Sequence, residues 1–197
     1  MHTTALKIPT ERLAESPESF GFDLDTAWWR ANVPVSGDLP DHLDEPLRLE
    51  LEAYRMGDDV FLTGRLTGWL ELQCGRCLAR YRQRLDESFR LVLEPAGNRV
   101  PTDPEGVVAL ARWGLCLGDE LETGWYRGPE IDLAELVREL VALGLPVQPV
   151  CREDCAGLCP SCGADWNHGR CACPKRKAES PFARLSALRP RRTEGEV

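Results

Sequence analysis

A chain of 197 residues with 43% hydrophobic side chains can form one ordinary domain with an appendage, or two small domains, and it excludes global disorder. A formal net charge of −8 excludes a simple basic nucleic-acid binder, although a total hides its distribution. The polar opening "MHTTALKIPTERLAESPESF" lacks a secretory h-region, and no apolar run approaches the roughly 18 residues of a membrane span, so the chain reads as cytoplasmic and without membrane association.

Residues 1–45 are polar and proline-spotted, with one aromatic island, "FDLDTAWWRANVPV", whose Trp28 and Trp29 can cap a core edge; no element is assigned there, and the segment is taken with the domain that follows. "PLRLELEAY" sets Leu47, Leu49, Leu51 and Ala53 against charged residues at period two, the pattern of a half-buried strand. "RMGDDV" supplies turn chemistry, "VFLTGRLTGWLEL" alternates Val60, Leu62, Gly64, Leu66, Gly68, Leu70 and Leu72, and "LDESFRLVLEP" forms a third strand. Residues 96–130 read as a long surface excursion with one hydrophobic piece, "GVVALARWGLCLG". "IDLAELVRELVALG" reads as an amphipathic helix, N-capped by Asp132, with Leu133, Leu136, Val137, Leu140 and Val141 on one face and Gly144 and Pro146 as stops. The predicted fold class is α+β: an antiparallel β-meander packed with one main helix (46–146), then a cysteine-rich C-terminal zinc-binding element (147–174) and a basic tail (175–197).

Six of nine cysteines crowd into residues 151–173. In a reducing compartment such a cluster points to metal before disulfides. Cys159 and Cys162 form one CxxC and Cys171 and Cys173 a CxC, so a single short loop offers four thiolates, the ligand set of structural zinc. Cys74 and Cys77 form a second CxxC at the joint of strands two and three. Pairing them with Cys151 and Cys155 gives a possible second zinc site that staples the cluster to the sheet. Cys116, in the apolar "WGLCLG", reads as a buried thiol, and His168 as a surface residue beside an already filled ligand shell. All-thiolate shells are closed, and no nucleophile elbow, phosphate-binding glycine loop or HExxH occurs, so no catalytic residue and no small-molecule substrate are assigned.

Charge is segregated. Residues 74–92 hold five arginines against two acids, and residues 174–197 hold seven basic residues against three acids, leaving a strongly acidic remainder. Arg76, Arg80, Arg82 and Arg84, read as one strand face, and Lys175, Arg176 and Lys177 of the tail are candidate contacts for an RNA backbone, with Tyr81 available to stack on a base. The competing reading is a solvated strand face and a basic tail.

"LQCGRCLARY" resembles the C-x-R-C-L signature of the YceD family, "LPVQPVCREDCAGLCPSCGADWNHGRCAC" its cysteine-rich C-terminal element, and "SPFARLSAL" its closing motif, over roughly residues 46–190. The resemblance implies a non-enzymatic factor in large ribosomal subunit biogenesis, needed for large-subunit ribosomal RNA to accumulate, with that RNA or ribosomal proteins as partners. It carries over the eight paired cysteines only. Two other classes stay open: a redox-regulated zinc chaperone, and a zinc-ribbon module for DNA or the transcription machinery.

Overall fold

The structure, a computed structural model, describes residues 6–33, 39–40, 43–118 and 122–173. The chain divides into two compact units, Met1–Cys155 and Ala156–Val197. The first contains the regular secondary structure of the described residues.

At its centre is the meander the alternating leucines predict. Strands β3 (Leu47–Met56), β4 (Asp59–Gln73) and β5 (Arg80–Pro95) pair antiparallel, Leu49 opposite Leu66 and Leu62 opposite Leu91. Period two sends Leu47, Leu49, Leu51, Val60, Leu62, Leu66, Leu70, Leu85, Leu91 and Leu93 to one buried face. Gly57 turns β3 into β4 with φ +63, a conformation that suits glycine at the first position of a two-residue hairpin. Gly64 sits where β3 and β5 close over β4. A Cβ there would lie 2.5 Å from the Glu50 carbonyl oxygen and 2.8 Å from the Phe89 ring.

Five further strands surround this core among the described residues. β1 (Lys7–Pro9) pairs with β8 (Glu130–Asp132) as a separate two-stranded sheet. β2 (Glu18–Leu24) runs antiparallel along β3. On the other edge β7 (Thr123–Tyr126) lies parallel to β5, and β6 (Leu115–Leu117) antiparallel to β7. The sheet order is therefore β2-β3-β4-β5-β7-β6. The segment read as a surface excursion therefore contributes two strands to the sheet, and one of their pairings, β7 with β5, is parallel.

Where the sequence suggested one main helix, the described residues form three α-helices. α1 (Thr26–Asn32) starts at Asp25, whose carboxylate accepts the Trp28 amide at 2.7 Å. Trp28 and Trp29 are core residues and not an edge cap, and the Trp29 indole donates to the Pro40 carbonyl at 2.8 Å. α2 (Pro104–Trp113) is capped by Asp103, which accepts the Gly106 amide at 2.5 Å, and stops at Gly114 with φ +67. α3 (Ala134–Gly144) is the predicted amphipathic helix and buries Leu136, Val137, Leu140 and Val141. Its N-terminus differs from expectation: Asp132 ends β8, Leu133 takes the cap position, and the Asp132 carboxylate accepts the Ala134 amide at 3.0 Å. Gly144 is still helical. A Cβ there would stand 2.4 Å from Leu85 Cδ1, so this glycine permits close approach to β5 and does not provide a left-handed stop.

The described part of the second unit, residues 156–173, is a chain of turns with one isolated bridge, Leu158 to Asp165. Asp165 organises it, accepting from the Asn167 backbone amide at 2.8 Å and side-chain amide at 2.7 Å. The Asn167 side chain in turn accepts the Ala156 amide at 2.9 Å.

Candidate metal centres

The two cysteine sets predicted from spacing are both assembled. In the first unit Cys74, Cys77, Cys151 and Cys155 bring their sulfurs within 4.8 Å of one another, as do Cys159, Cys162, Cys171 and Cys173 in the second. In the first set Cys74 Sγ lies 3.9 Å from Cys155 Sγ, and Cys77 Sγ 3.7 Å from Cys151 Sγ. A tetrahedral metal with bonds of about 2.3 Å to thiolate has sulfur–sulfur edges of about 3.8 Å. The donors therefore already stand at coordination spacing, across 74 residues of sequence between Cys77 and Cys151.

The two CxxC loops share one backbone design. The Cys74 amide donates to the Ala79 carbonyl at 2.9 Å, and the Cys159 amide to Ala164 at 2.9 Å. Leu78 N–H returns to the Cys74 carbonyl, and Gly163 N–H to the Cys159 carbonyl, again at 2.9 Å. Arg76 N–H reaches Cys74 Sγ, and Ser161 N–H reaches Cys159 Sγ, each at 3.4 Å. Both loops need a left-handed residue four positions after the first cysteine. In the second it is Gly163, φ +72, and in the first it is Leu78, φ +60. Amides aimed at sulfur favour thiolate over thiol, which is the ligating form.

The thiols of each set are driven in opposite directions. The Cys77 amide, then the Cys151 amide, hold the Cys74 thiol down at about 6. Burial, and after it the Cys77 thiol, push Cys151 up to about 12. In the second set the Trp166 indole N–H, then the Cys173 amide, hold Cys171 at about 6, whereas Cys162 and Cys171 push Cys173 up to about 12. The Trp166 N–H is buried and finds no partner of normal hydrogen-bond geometry, as suits a donor turned toward a thiolate. Each nest favours some negative charge but resists four charges together, and a bound metal cation removes that conflict. Both sets therefore fit a metal ion.

The centres differ in exposure. Cys74, Cys77 and Cys155 are buried and Cys151 is half-buried; Cys162 is exposed, and only Cys159 of its set is buried. His168 is no member of the second set, pairing with Asp165 Oδ2 at 3.0 Å on the surface. Cys116 belongs to neither set; it is buried, and burial raises its thiol pKa.

The arginines are placed less uniformly than alternation predicts. Arg80, Arg82 and Arg84 do share the outer face of β5. Arg76 does not, because it lies in the Cys74–Cys77 turn and its guanidinium donates to the carbonyls of Glu153, at 3.1 Å, and Cys155, at 3.2 Å. Tyr81 is also corrected: it points to the opposite side from its arginine neighbours, with its hydroxyl buried. The aromatic residue on the arginine face is Trp69, directly across the strand pair from Arg84 and 41% exposed. The sequence carried its signal, since Trp69 alternates against the core residues Leu66, Leu70 and Leu72. Each of these three β5 arginines is engaged by a carboxylate: Arg80 by Glu71, Arg82 by Glu45 at 2.8 Å, and Arg84 by Asp86 at 2.9 Å. Lys175, Arg176 and Lys177 lie outside the described residues.

Comparison with known proteins places these features in context. A family model described as large ribosomal RNA subunit accumulation protein YceD matches residues 62–189, a span holding all eight paired cysteines. A chloroplastic protein of Arabidopsis thaliana, named a large ribosomal RNA subunit accumulation protein YCED homolog, is 25% identical over 175 residues, covering 79% of this chain and 52% of that protein. A protein of the same description from Zea mays is 24% identical, covering 68% and 50%. An uncharacterized protein of Mycobacterium tuberculosis is 30% identical over 117 residues, covering 59% and 50%. The chain thus spans about half the length of the curated relatives it matches. No solved structure matches. No helix among the described residues is long and apolar enough to cross a membrane.

Proposed function

The chain belongs to the YceD family, and on that premise we propose that it acts in large ribosomal subunit biogenesis, as a binding factor and not a catalyst, needed for large-subunit ribosomal RNA to accumulate. The observation that carries this reading is the family match over residues 62–189, a span that includes both thiol centres and the arginine-bearing meander. Large-subunit RNA, or ribosomal proteins bound to it, is the partner.

Two zinc ions complete the protein in this reading, one held by Cys74, Cys77, Cys151 and Cys155, the other by Cys159, Cys162, Cys171 and Cys173. Zinc with four protein thiolates supplies structural cross-linking and leaves no open position for a reactive water. The residues around it carry the rest of the task. Cys77 and Cys151 close a long loop onto the end of β4 and β5, and Arg76 ties the first CxxC turn to the carbonyls of residues 153 and 155. This closure holds β5 and its outward arginines against one rigid corner of the sheet.

Contact with RNA falls to Arg80, Arg82 and Arg84 on that face, and to Lys175, Arg176 and Lys177 of the tail. The carboxylate partners do not preclude it. Exposed ion pairs are worth about 0–1 kcal/mol, so a phosphate can exchange for Glu71, Glu45 or Asp86 at little cost.

Depleting the protein from cells that make it tests this function. The expected outcome is a fall of large-subunit ribosomal RNA relative to small-subunit RNA, restored by the intact chain. An unchanged ratio sinks the reading.

A further inference from the structure

We propose that the outer face of the β4–β5 hairpin is a binding platform for single-stranded RNA, on which an unpaired base stacks on Trp69 while the arginines of β5 take the adjacent phosphates. The inference rests on the RNA reading above and adds the kind of RNA and the residue that selects it.

Trp69 is a large apolar side chain placed on the outside of a strand and 41% exposed. Nothing in the core requires it, because Leu66 and Leu70 fill the inner side of the same strand. It stands across from Arg84, and the Arg82 guanidinium lies over its ring at 4.8 Å. That cation–π contact orients the indole on the sheet surface. A base stacked on an oriented indole loses water from two flat faces and needs no particular hydrogen-bonding edge, so the contact accepts any unpaired base and rejects a base inside a duplex.

The surroundings suit the rest of a nucleotide. Arg80, Arg82 and Arg84 project at alternate residues of one strand, about 7 Å apart, a repeat that can follow the successive phosphates of an extended chain. Arg65 and Arg90 stand on the same face further along the hairpin. Against these five arginines the outward rows of the hairpin offer Asp59, Glu71, Asp86 and Glu94, with Glu45 reaching in from the loop before β3 and Glu50 of β3 opposite Arg65. Asp86 is shared between Arg65 and Arg84, so around Trp69 four arginines share three acids. In a chain of net charge −8 the arginine row beside Trp69 is a local concentration of cations that a phosphate backbone can engage. Thr67 and Ser88 complete the outward rows with small polar groups, leaving the sheet low enough for bases to lie flat.

The test uses the full metal-loaded chain and fluorescent RNA of about 12 nucleotides, single-stranded oligo(U) or oligo(A) and a duplex of the same length, titrated at two salt concentrations. Wild type is expected to bind single strands more tightly than duplex. Trp69→Ala should weaken single-strand binding about ten-fold or more with little change for duplex, and Trp69→Phe, which keeps a stacking ring, should recover most of it. Arg82→Gln and Arg84→Gln should weaken binding and flatten its salt dependence. Circular dichroism and metal content are compared across the variants, so that a loss through misfolding is distinguished from a loss of stacking. Equal affinity of wild type for duplex and single strand, or undiminished binding by Trp69→Ala, overturns the platform. So does absence of RNA binding. If such a chain still travelled with large subunits, the ribosomal reading would stand on protein contacts alone.

Discussion

Leu78 is the one non-glycine residue with positive φ among the described residues, and it occupies the position that Gly163 fills in the other CxxC loop. A left-handed conformation costs an L-residue roughly 1–2 kcal/mol. At 55% exposure, packing returns little of that. Leu78→Gly should therefore raise stability in urea unfolding by up to about 1 kcal/mol, part of the gain being offset by the greater entropy of glycine in the unfolded chain. A clear loss would mean that the leucine side chain packs on something. Gly64 is the opposite case. Its missing Cβ faces the backbone oxygen of Glu50 and the Cβ of Leu51, neither of which can swing away. Gly64→Ala should destabilise the sheet by about 2 kcal/mol or more, read from the same unfolding curve, and a neutral result would contradict the close strand packing described here.

The two thiol centres act at the level of elements and should be separable. Cys74→Ser removes a ligand that links the β4–β5 joint to residues 151–155, so it should remove one equivalent of metal and lower the unfolding temperature of the sheet unit markedly. Cys173→Ser should also remove one equivalent yet leave the unfolding transition of the sheet unit in place, because its centre lies wholly within residues 159–173. An equal effect of both variants on the sheet would contradict that division. Elements were legible in proportion to their length and periodicity. The three long strands and α3 repeat their apolar spacing often enough to be read directly. α2 had clear local punctuation in Asp103, Pro104 and Gly114, but its exposed Val107 and Val108 obscured the apolar face. Strands β6 and β7 have three and four residues, too few to establish a period, and the parallel pairing of β7 with β5 is a long-range choice that no local pattern encodes. The second cysteine set was legible because its CxxC and CxC spacing is local, whereas the meeting of Cys74 and Cys77 with Cys151 and Cys155 is a long-range contact that only the fold shows. The outward Trp69 followed from the same alternation that marked the core, whereas Arg76 was misplaced because a CxxC turn interrupts the strand period.

The whole molecule joins membership of a family described by large ribosomal RNA subunit accumulation to a sheet with an arginine- and tryptophan-bearing outer face and two four-cysteine clusters. Elemental analysis of the purified chain should give two zinc ions per molecule. A single equivalent would break the pairing of Cys74 and Cys77 with Cys151 and Cys155. The central claim, that this protein works on the large ribosomal subunit, is tested most directly by sedimentation. A lysate is run on a sucrose gradient, the fractions are probed for this protein, and the run is repeated after nuclease treatment. The protein is expected to comigrate with free large subunits or their precursors, and to leave them when RNA is digested. Recovery only at the top of the gradient, even at low salt, would contradict it.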